Sequence, residues 1–300
     1  MPTPDAIAAA RQPTLHAALR HAAAELRRAG IEDPGNDARR LAAAALGLTG
    51  AQVLGQPERQ LNPREVERLD GCVARRAAHE PVSRILGERD FFGRTFAIGP
   101  ATLDPRPDSE TLIVATLELL RAEDRLNAPL RILDVGTGSG CLLVTLLCEL
   151  PHASGVGTDT SVAALEVAQS NAHRLGLEQR CQWLAADVLD GVAGPFDILV
   201  SNPPYIPTGE IARLDPEVRL FDPHAALDGG EDGLRVFRRL AAEAADVVEN
   251  GWIVLEVGHD QADAVADLMR AGATGRRAVD IRYYRDVAGR RRCVATRARN

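Results

Sequence analysis

The chain has 300 residues, 45% of them hydrophobic, so one large domain beside a smaller one is the natural expectation. Its formal net charge is −7 and all 35 basic residues are arginine. That argues against a general nucleic-acid binder, because neutralised phosphates supply most non-specific affinity, and it leaves no lysine for Schiff-base chemistry. Five cysteines without a C-x-x-C pair argue against a disulfide framework or a zinc site. No apolar run reaches the ~18 residues of a membrane span, and the start lacks the features of a secretory signal, so a cytoplasmic location is expected.

Residues 14 to about 80 read as helical. Leu15, Leu19, Ala22, Ala23 and Leu26 share one face of a segment closed by Gly30. Asp33-Pro34 opens a second, with Ala38, Leu41, Ala42, Ala45 and Leu46 on its apolar side. A short piece surrounds 52–54, and Asn62-Pro63 caps a fourth segment through Val66, Leu69, Val73 and Ala77. This helical domain, 1–80, holds no catalytic constellation, and a substrate-docking role is expected. Residues 81–104 are expected to link it to the rest, with a hairpin around Gly93. Residues 103–110 then lead into a helix, where Pro107 fits the first turn and Asp108 and Glu110 suit its positive end.

From Arg131 strands and helices alternate, which predicts an α/β domain, 105–300, with a mostly parallel sheet. Strands are expected at 131–135, 154–159, 182–187 and 197–201, and helices at 141–150 and 161–175. Between the first strand and its helix lies Gly136-Thr137-Gly138-Ser139-Gly140, preceded by Asp134. Glycines there allow a tight turn and close approach of the backbone to a ligand at a helix N-terminus. The spacing is G-x-G-x-G after an acid, not the G-x-G-x-x-G of dinucleotide sites, and it suits S-adenosylmethionine, which has no pyrophosphate. Asp159 ends the next strand about 20 residues on, where an acid can accept from both ribose hydroxyls. Asp187, followed by Val188, is expected at the end of the strand after that, beside an adenine amino group.

The apolar strand at 197–201 runs into Asn202-Pro203-Pro204-Tyr205. Consecutive prolines end a sheet ladder, so the chain turns at the carboxyl edge where such sheets bind ligands. The Asn202 side-chain oxygen and the Pro203 carbonyl offer two acceptors, and Tyr205 a flat ring, which together suit a planar group bearing an NH2. Residues 207–233 are long for a loop and read as a lid or substrate wall. His224 within it is a possible base, although a lone loop histidine is more often structural. A helix at 233–249, a strand at 252–257, a helix at 261–271 and an antiparallel pair at 278–284 and 292–296 complete the chain.

With these residues assembled, the chain resembles the HemK/PrmC-type protein-(glutamine-N5) methyltransferases that act on peptide chain release factors. The resemblance rests on residues 105–110, 134–140, 202–205, 226–233 and 255–258, and it covers nearly the whole chain. It implies a class I S-adenosylmethionine-dependent methyltransferase fold, Rossmann-like with an antiparallel edge hairpin, plus a small N-terminal helical bundle. It implies a monomer that methylates the glutamine of a Gly-Gly-Gln motif without a metal, a membrane or a nucleic acid. The cofactor would then meet Asp134, Gly136, Thr137, Gly138, Ser139, Gly140, Asp159, Asp187, Val188 and Asn202. Catalysis would fall to Asn202, Pro203, Pro204 and Tyr205, with Arg106 joining them in substrate binding. Asp104 departs from the pattern, standing where the family more often has an apolar residue. A competing reading is an amino-group methyltransferase of adenine or guanine in DNA or RNA, which would flip its target base. A binding protein without turnover and an NAD dehydrogenase fit less well.

Overall fold

The computed structural model describes residues 12–272 and 277–299. The chain divides into two compact units, one ending at Leu86 and the other starting at Gly87.

The first unit is helical: α1 (Leu15–Arg28), α2 (Pro34–Leu46), α3 (Gly50–Gly55), α4 (Pro63–Ala77) and α5 (Val82–Leu86). Local chemistry sets the boundaries. Thr14 accepts from the Ala17 N–H at the start of α1, and Asp33 from Asn36 at the start of α2. Asn62 and Glu65 form a reciprocal capping box around Pro63. Gly47, at φ +64°, turns the chain out of α2. Leu15, Leu26, Leu41, Leu61, Leu69 and Val73 fill the core, and a buried pair, Arg76 Nε to Asp37 Oδ2 at 2.7 Å, joins α4 to α2.

The second unit opens with an antiparallel hairpin, β1 (Glu88–Phe91) and β2 (Arg94–Ala97). Residues expected to act as a linker are here part of a core: Phe91 and Phe96 are buried with Leu112, Ile113 and Leu143. After a 3-10 turn (Pro107–Ser109) come α6 (Glu110–Ala122), β3 (Arg131–Val135), α7 (Cys141–Glu149), β4 (Ser154–Asp159), α8 (Val162–Arg174), β5 (Cys181–Ala185) and β6 (Phe196–Ser201). Then follow α9 (Pro216–Arg219), α10 (His224–Leu227), α11 (Arg235–Val247), β7 (Val248–Glu256), α12 (Ala262–Gly272), β8 (Arg277–Arg285) and β9 (Arg291–Arg299).

Seven strands form one sheet in the order β5-β4-β3-β6-β7-β9-β8. Strands β3 to β7 are parallel, and β9 and β8 close the edge antiparallel. The inner strands read as continuous apolar runs because both faces are covered. Alternate residues serve opposite cores: Ile132, Ile198, Val200, Trp252 and Val254 on one side, Leu133, Leu199, Ile253 and Leu255 on the other. From β3 the chain proceeds to β4 on one side and later returns to β6 on the other. A crevice therefore opens at the carboxyl ends of β3 and β6. No helix among the described residues is long and apolar enough to cross a membrane.

Three boundaries differ from expectation. Strand β5 ends at Ala185: the Ala186 N–H donates the last rung of the β4–β5 ladder to the Asp159 carbonyl (3.1 Å), and beyond it Val188 takes a left-handed φ of +57°. Strand β7 begins four residues early, at Val248, which pairs with Phe196 before an irregularity resets the register. Residues 207–233 hold a 3-10 turn (Thr208–Arg213) and the short helices α9 and α10 in place of a plain loop.

Strand β4 carries Gly155 and Gly157 where neighbours press closest. A Cβ at Gly157 would lie 2.5 Å from the Trp183 ring, and one at Gly155 2.4 Å from Leu143. Gly157→Ala is therefore expected to cost about 1–3 kcal/mol of stability through overpacking, read as a lowered denaturant midpoint at unchanged slope.

Candidate active site

Asp134, next to last in β3, is fully buried at the floor of the crevice. The Thr137 hydroxyl donates to its Oδ2 at 2.7 Å and the Leu143 N–H at 3.3 Å, while Oδ1 has no donor among the described residues. Burial pushes its pKa up to about 7, against the pull of Thr137 and Leu143 and with a smaller push from Asp159. The loop above it needs its glycines: Gly136, Gly138 and Gly140 have φ of +72°, +55° and +77°. The Ser139 carbonyl accepts from Asn171 Nδ2 at 2.9 Å, and the same amide bonds both backbone groups of Ala97, tying the loop to α8 and β2.

Asp159, at the end of β4, binds the loop directly. Its Oδ2 accepts from the Gly138 N–H and its Oδ1 from the Ser161 N–H, each at 2.9 Å. A carboxylate has about four acceptor sites, so capacity for a ligand remains. Asp187 is less favourably placed than the sequence suggests. It lies in the turn beyond β5, exposed, with Oδ2 paired to Arg239 at 2.9 Å. Val188 beside it is buried.

The two central strands are tied at their ends by the Ser201 hydroxyl, which donates to the Val135 carbonyl at 2.6 Å. Asn202 follows, and its Nδ2 donates to Ser109 Oγ at 3.1 Å. With the nitrogen engaged, the oxygen is the end of the amide left to accept. None of the described residues donates to the Pro203 carbonyl. Tyr205 is locked at both ends: its hydroxyl donates to Glu256 Oε1 at a long 3.4 Å, and its carbonyl accepts from Gln261 Nε2 at 3.0 Å. Burial raises its hydroxyl pKa.

Residues 228–233 lie packed against this turn. Ile206 exchanges backbone bonds with Leu227 and Gly229, and a Cβ on Gly233 would sit 2.3 Å from the Tyr205 carbonyl. Only glycine fits such an approach.

A pocket of about 200 Å³ opens here, lined by Arg106, Asn202, Pro203, Tyr205, Leu227 and Glu256, with Leu103, Ile206, Leu214, Val218 and Ala226 completing an apolar wall. The 207–233 stretch thus supplies part of the wall. Pro204 is absent from the lining, and His224 is exposed and outside it. Arg106 lines the pocket with its Nη2 held 2.5 Å from Asp222 Oδ2. Asp104 is buried beside Arg89 (3.7 Å) and Arg106 (4.0 Å), and its N–H donates to Asp222, so charge pairing explains this unexpected acid.

Ser109 and Glu256 lie in stretches that carry the resemblance, 105–110 and 255–258, but the sequence reading assigns no role to them, to Asp222 or to Gln261. Glu256 is also visible as an acid closing an otherwise apolar strand. Glu256 is almost wholly buried, its Oε2 has no donor among the described residues, and burial pushes its pKa up to about 7.

Both buried acids act on stability in one pH window. Asp134 would ionise near 3.8 and Glu256 near 4.5 in the unfolded chain, yet near 7 when folded. Between those values the folded state binds more protons, so stability falls as pH rises, until both states are ionised. Acids with lowered pKa values, such as Glu65 and Asp228, act in the opposite sense and at lower pH. The ligand-free protein is expected to lose melting temperature from about pH 4.5 to 7, and Asp134→Asn to flatten much of that decline. Thermal melts across the range measure it, and an undiminished slope in the variant would count against a buried, partly protonated Asp134.

Residues 17–87 match the family model described as PrmC N-terminal domain, and 111–215 that of the Methyltransferase small domain. The release factor glutamine methyltransferase of Rhodospirillum rubrum is 46% identical over 91% of this chain and 82% of that protein. That of Bradyrhizobium diazoefficiens is 45% identical over 95% of both. Among solved structures, the hMettl16 catalytic domain in complex with MAT2A 3′UTR hairpin 1 superposes with a TM-score of 0.55. It is 15% identical, covers 81% of this chain and 83% of that one, and shares the fold alone. With relatives of this identity over nine-tenths of its length, and with the parallel sheet that carries the site, the chain belongs to the release factor glutamine methyltransferase family and has a class I methyltransferase fold.

Proposed function

We propose that this chain transfers the methyl group of S-adenosylmethionine to the side-chain amide nitrogen of the glutamine in the Gly-Gly-Gln motif of class-1 peptide chain release factors. The observation that carries the reading is the pocket at the carboxyl end of β6, whose lining brings Asn202 and Pro203, each carrying a neutral acceptor, together with an apolar wall.

The residues fit the cofactor. A buried acid with an unpartnered oxygen, Asp134, and a backbone loop of three left-handed glycines suit its amino-acid end. Asp159 retains acceptor capacity for the ribose hydroxyls. Val188 and Asp187 stand at the adenine end, where Asp187 would share its carboxylate with Arg239. When bound, S-adenosylmethionine supplies a methyl group already activated by a sulfonium charge. Thr137 and Ser139 shape the loop around it.

An amide nitrogen is a weak nucleophile because its lone pair is delocalised. Acceptors on its two hydrogens orient it and stabilise the positive charge that grows on it, which is electrostatic catalysis by preorganised groups. Tyr205 and Pro204 hold the turn stiff, which would keep the substrate nitrogen oriented toward the cofactor's methyl group once both are bound. The nitrogen sheds its extra proton after transfer, so no strong base is needed. Arg106 braces the pocket mouth through Asp222. The near-full-length similarity to release factor glutamine methyltransferases favours this substrate over a nucleic-acid base, as does the net charge of −7. The helical unit, 1–86, would engage the release factor, and the protein would work as a cytoplasmic monomer.

Asn202→Ala is expected to leave S-adenosylmethionine affinity in calorimetry nearly unchanged and to lower methyl transfer by roughly 10²–10³-fold. Labelled methyl should appear on a release factor and not on DNA; the reverse pattern would overturn the substrate. Removing the helical unit should reduce kcat/KM on the intact release factor far more than on a short Gly-Gly-Gln peptide. Equal losses on both would deny it a docking role.

A further inference from the structure

We infer that Glu256 is a further catalytic residue: its carboxylate receives the proton that the glutamine amide nitrogen gives up as it is methylated. This deepens the reading above and rests on it.

The register of the sheet sets Glu256 beside the residue that orients the amide. Strands β6 and β7 run parallel with Ser201 opposite Leu255. One residue further on, Asn202 and Glu256 stand next to each other at the carboxyl edge, where neighbouring strands are roughly 4.8 Å apart. Both line the same pocket. Glu256 is 1% exposed, its Oε1 receives a long 3.4 Å bond from the Tyr205 hydroxyl, and its Oε2 meets no donor among the described residues. Buried acceptors are as a rule satisfied, so this oxygen is left for a group that enters the pocket.

The reaction supplies such a group. The amide nitrogen carries two hydrogens before transfer and can keep one after it. Its lone pair forms the bond to the methyl carbon, and the carbon–sulfur pair stays with sulfur. The amide is then positively charged until an N–H bond breaks, its electron pair returning to nitrogen and its proton leaving. Among the described residues that line the pocket, few can receive that proton. Asn202 Oδ1 and the Pro203 carbonyl are amide oxygens, which accept hydrogen bonds but do not hold a proton near neutral pH. Arg106 is always protonated, and the Tyr205 hydroxyl donates to Glu256. The rest of the lining is apolar, which leaves Glu256.

A carboxylate is a weak base, yet it is ample for a charged amide. Burial, which raises the pKa of Glu256 to about 7, makes it a better base than an exposed carboxylate. The division of labour follows. Asn202 and Pro203 orient the nitrogen as it attacks, and Glu256 takes the proton as charge builds there. Glu256 is then a neutral acid, and it returns the proton to water after the product leaves.

The test is the rate of methyl transfer to a release factor in a single turnover at saturating S-adenosylmethionine. Glu256→Gln keeps the shape and can still accept a hydrogen bond, but it cannot hold a proton. It should slow transfer by about 10²-fold or more, the range of a lost general base. Release-factor affinity, measured by calorimetry with S-adenosylhomocysteine bound, should stay within about twofold of the wild type, since the loss falls on the chemical step. Glu256→Ala should be equally slow. Formate, a carboxylate small enough for the space vacated, should accelerate Glu256→Ala by at least about tenfold in a saturable way and leave the wild type unaffected. Near-wild-type transfer in Glu256→Gln overturns the inference. So does a release-factor affinity that falls in step with the rate, or a Glu256→Ala variant that formate does not accelerate. Cofactor titration shows that each variant is folded. A wild type that binds the cofactor and leaves the release factor unmethylated would overturn the substrate reading, and this inference with it.

Discussion

A carboxylic acid pulled out of water without a full set of donors is among the costlier things a fold can contain. This protein holds two at the carboxyl edge of one sheet, Asp134 and Glu256, each with an oxygen that no described residue satisfies. The surrounding structure is arranged so that they stay buried. Seven strands with helices over both faces keep solvent away from the ends of β3 and β7. Thr137, Leu143 and Tyr205 supply partial donation, enough to hold each group in place but not enough to drain it of acceptor strength. On the proposed reading, a site for a cationic cofactor and a neutral amide would use electron-rich oxygens in that condition. Ordinary cores remove them.

How far this was legible in the amino-acid order depends on whether the determining contacts are local. The glycine loop was readable because three positive φ angles in five residues admit little else. The parallel sheet was readable because strands covered on both faces must be apolar throughout. The turn at 202–205 was readable because two prolines stop a ladder. Helix caps at Thr14, Asp33 and Asn62 follow the same logic.

The misses have the opposite character. The end of β5 turns on a valine in a left-handed conformation, which side-chain type does not announce. Helices of four residues at 216–219 and 224–227 are too short to show a period. Asp104 departs from the family pattern without a visible reason in the sequence, and is buried among Arg89, Arg106 and Asp222, partners scattered along the chain. Glu256 is the clearest case: its residue type was visible, but its burial in the pocket lining beside Tyr205 is something only the fold brings about.

If Asn202 accepts from the substrate as proposed, the pocket also favours an amide over a carboxylate at that position. An aspartate there could accept from the substrate equally well, and in isolation its charge would strengthen the bond. Beside Glu256, however, it would be a second ionisable acid in one low-dielectric site. Neighbouring carboxyls titrate as a unit, and the pair would keep a proton well into the neutral range. A shared proton sits on either group and turns an acceptor into a donor at the place where acceptance is required. An asparagine escapes this coupling, at the cost of an ambiguous orientation, since its two ends are nearly the same shape. Ser109 resolves that ambiguity by taking the nitrogen. On the proposed reading, a neutral acceptor whose direction is fixed by a hydroxyl keeps one sign toward the substrate, which an ionisable carboxylate at 202 would not.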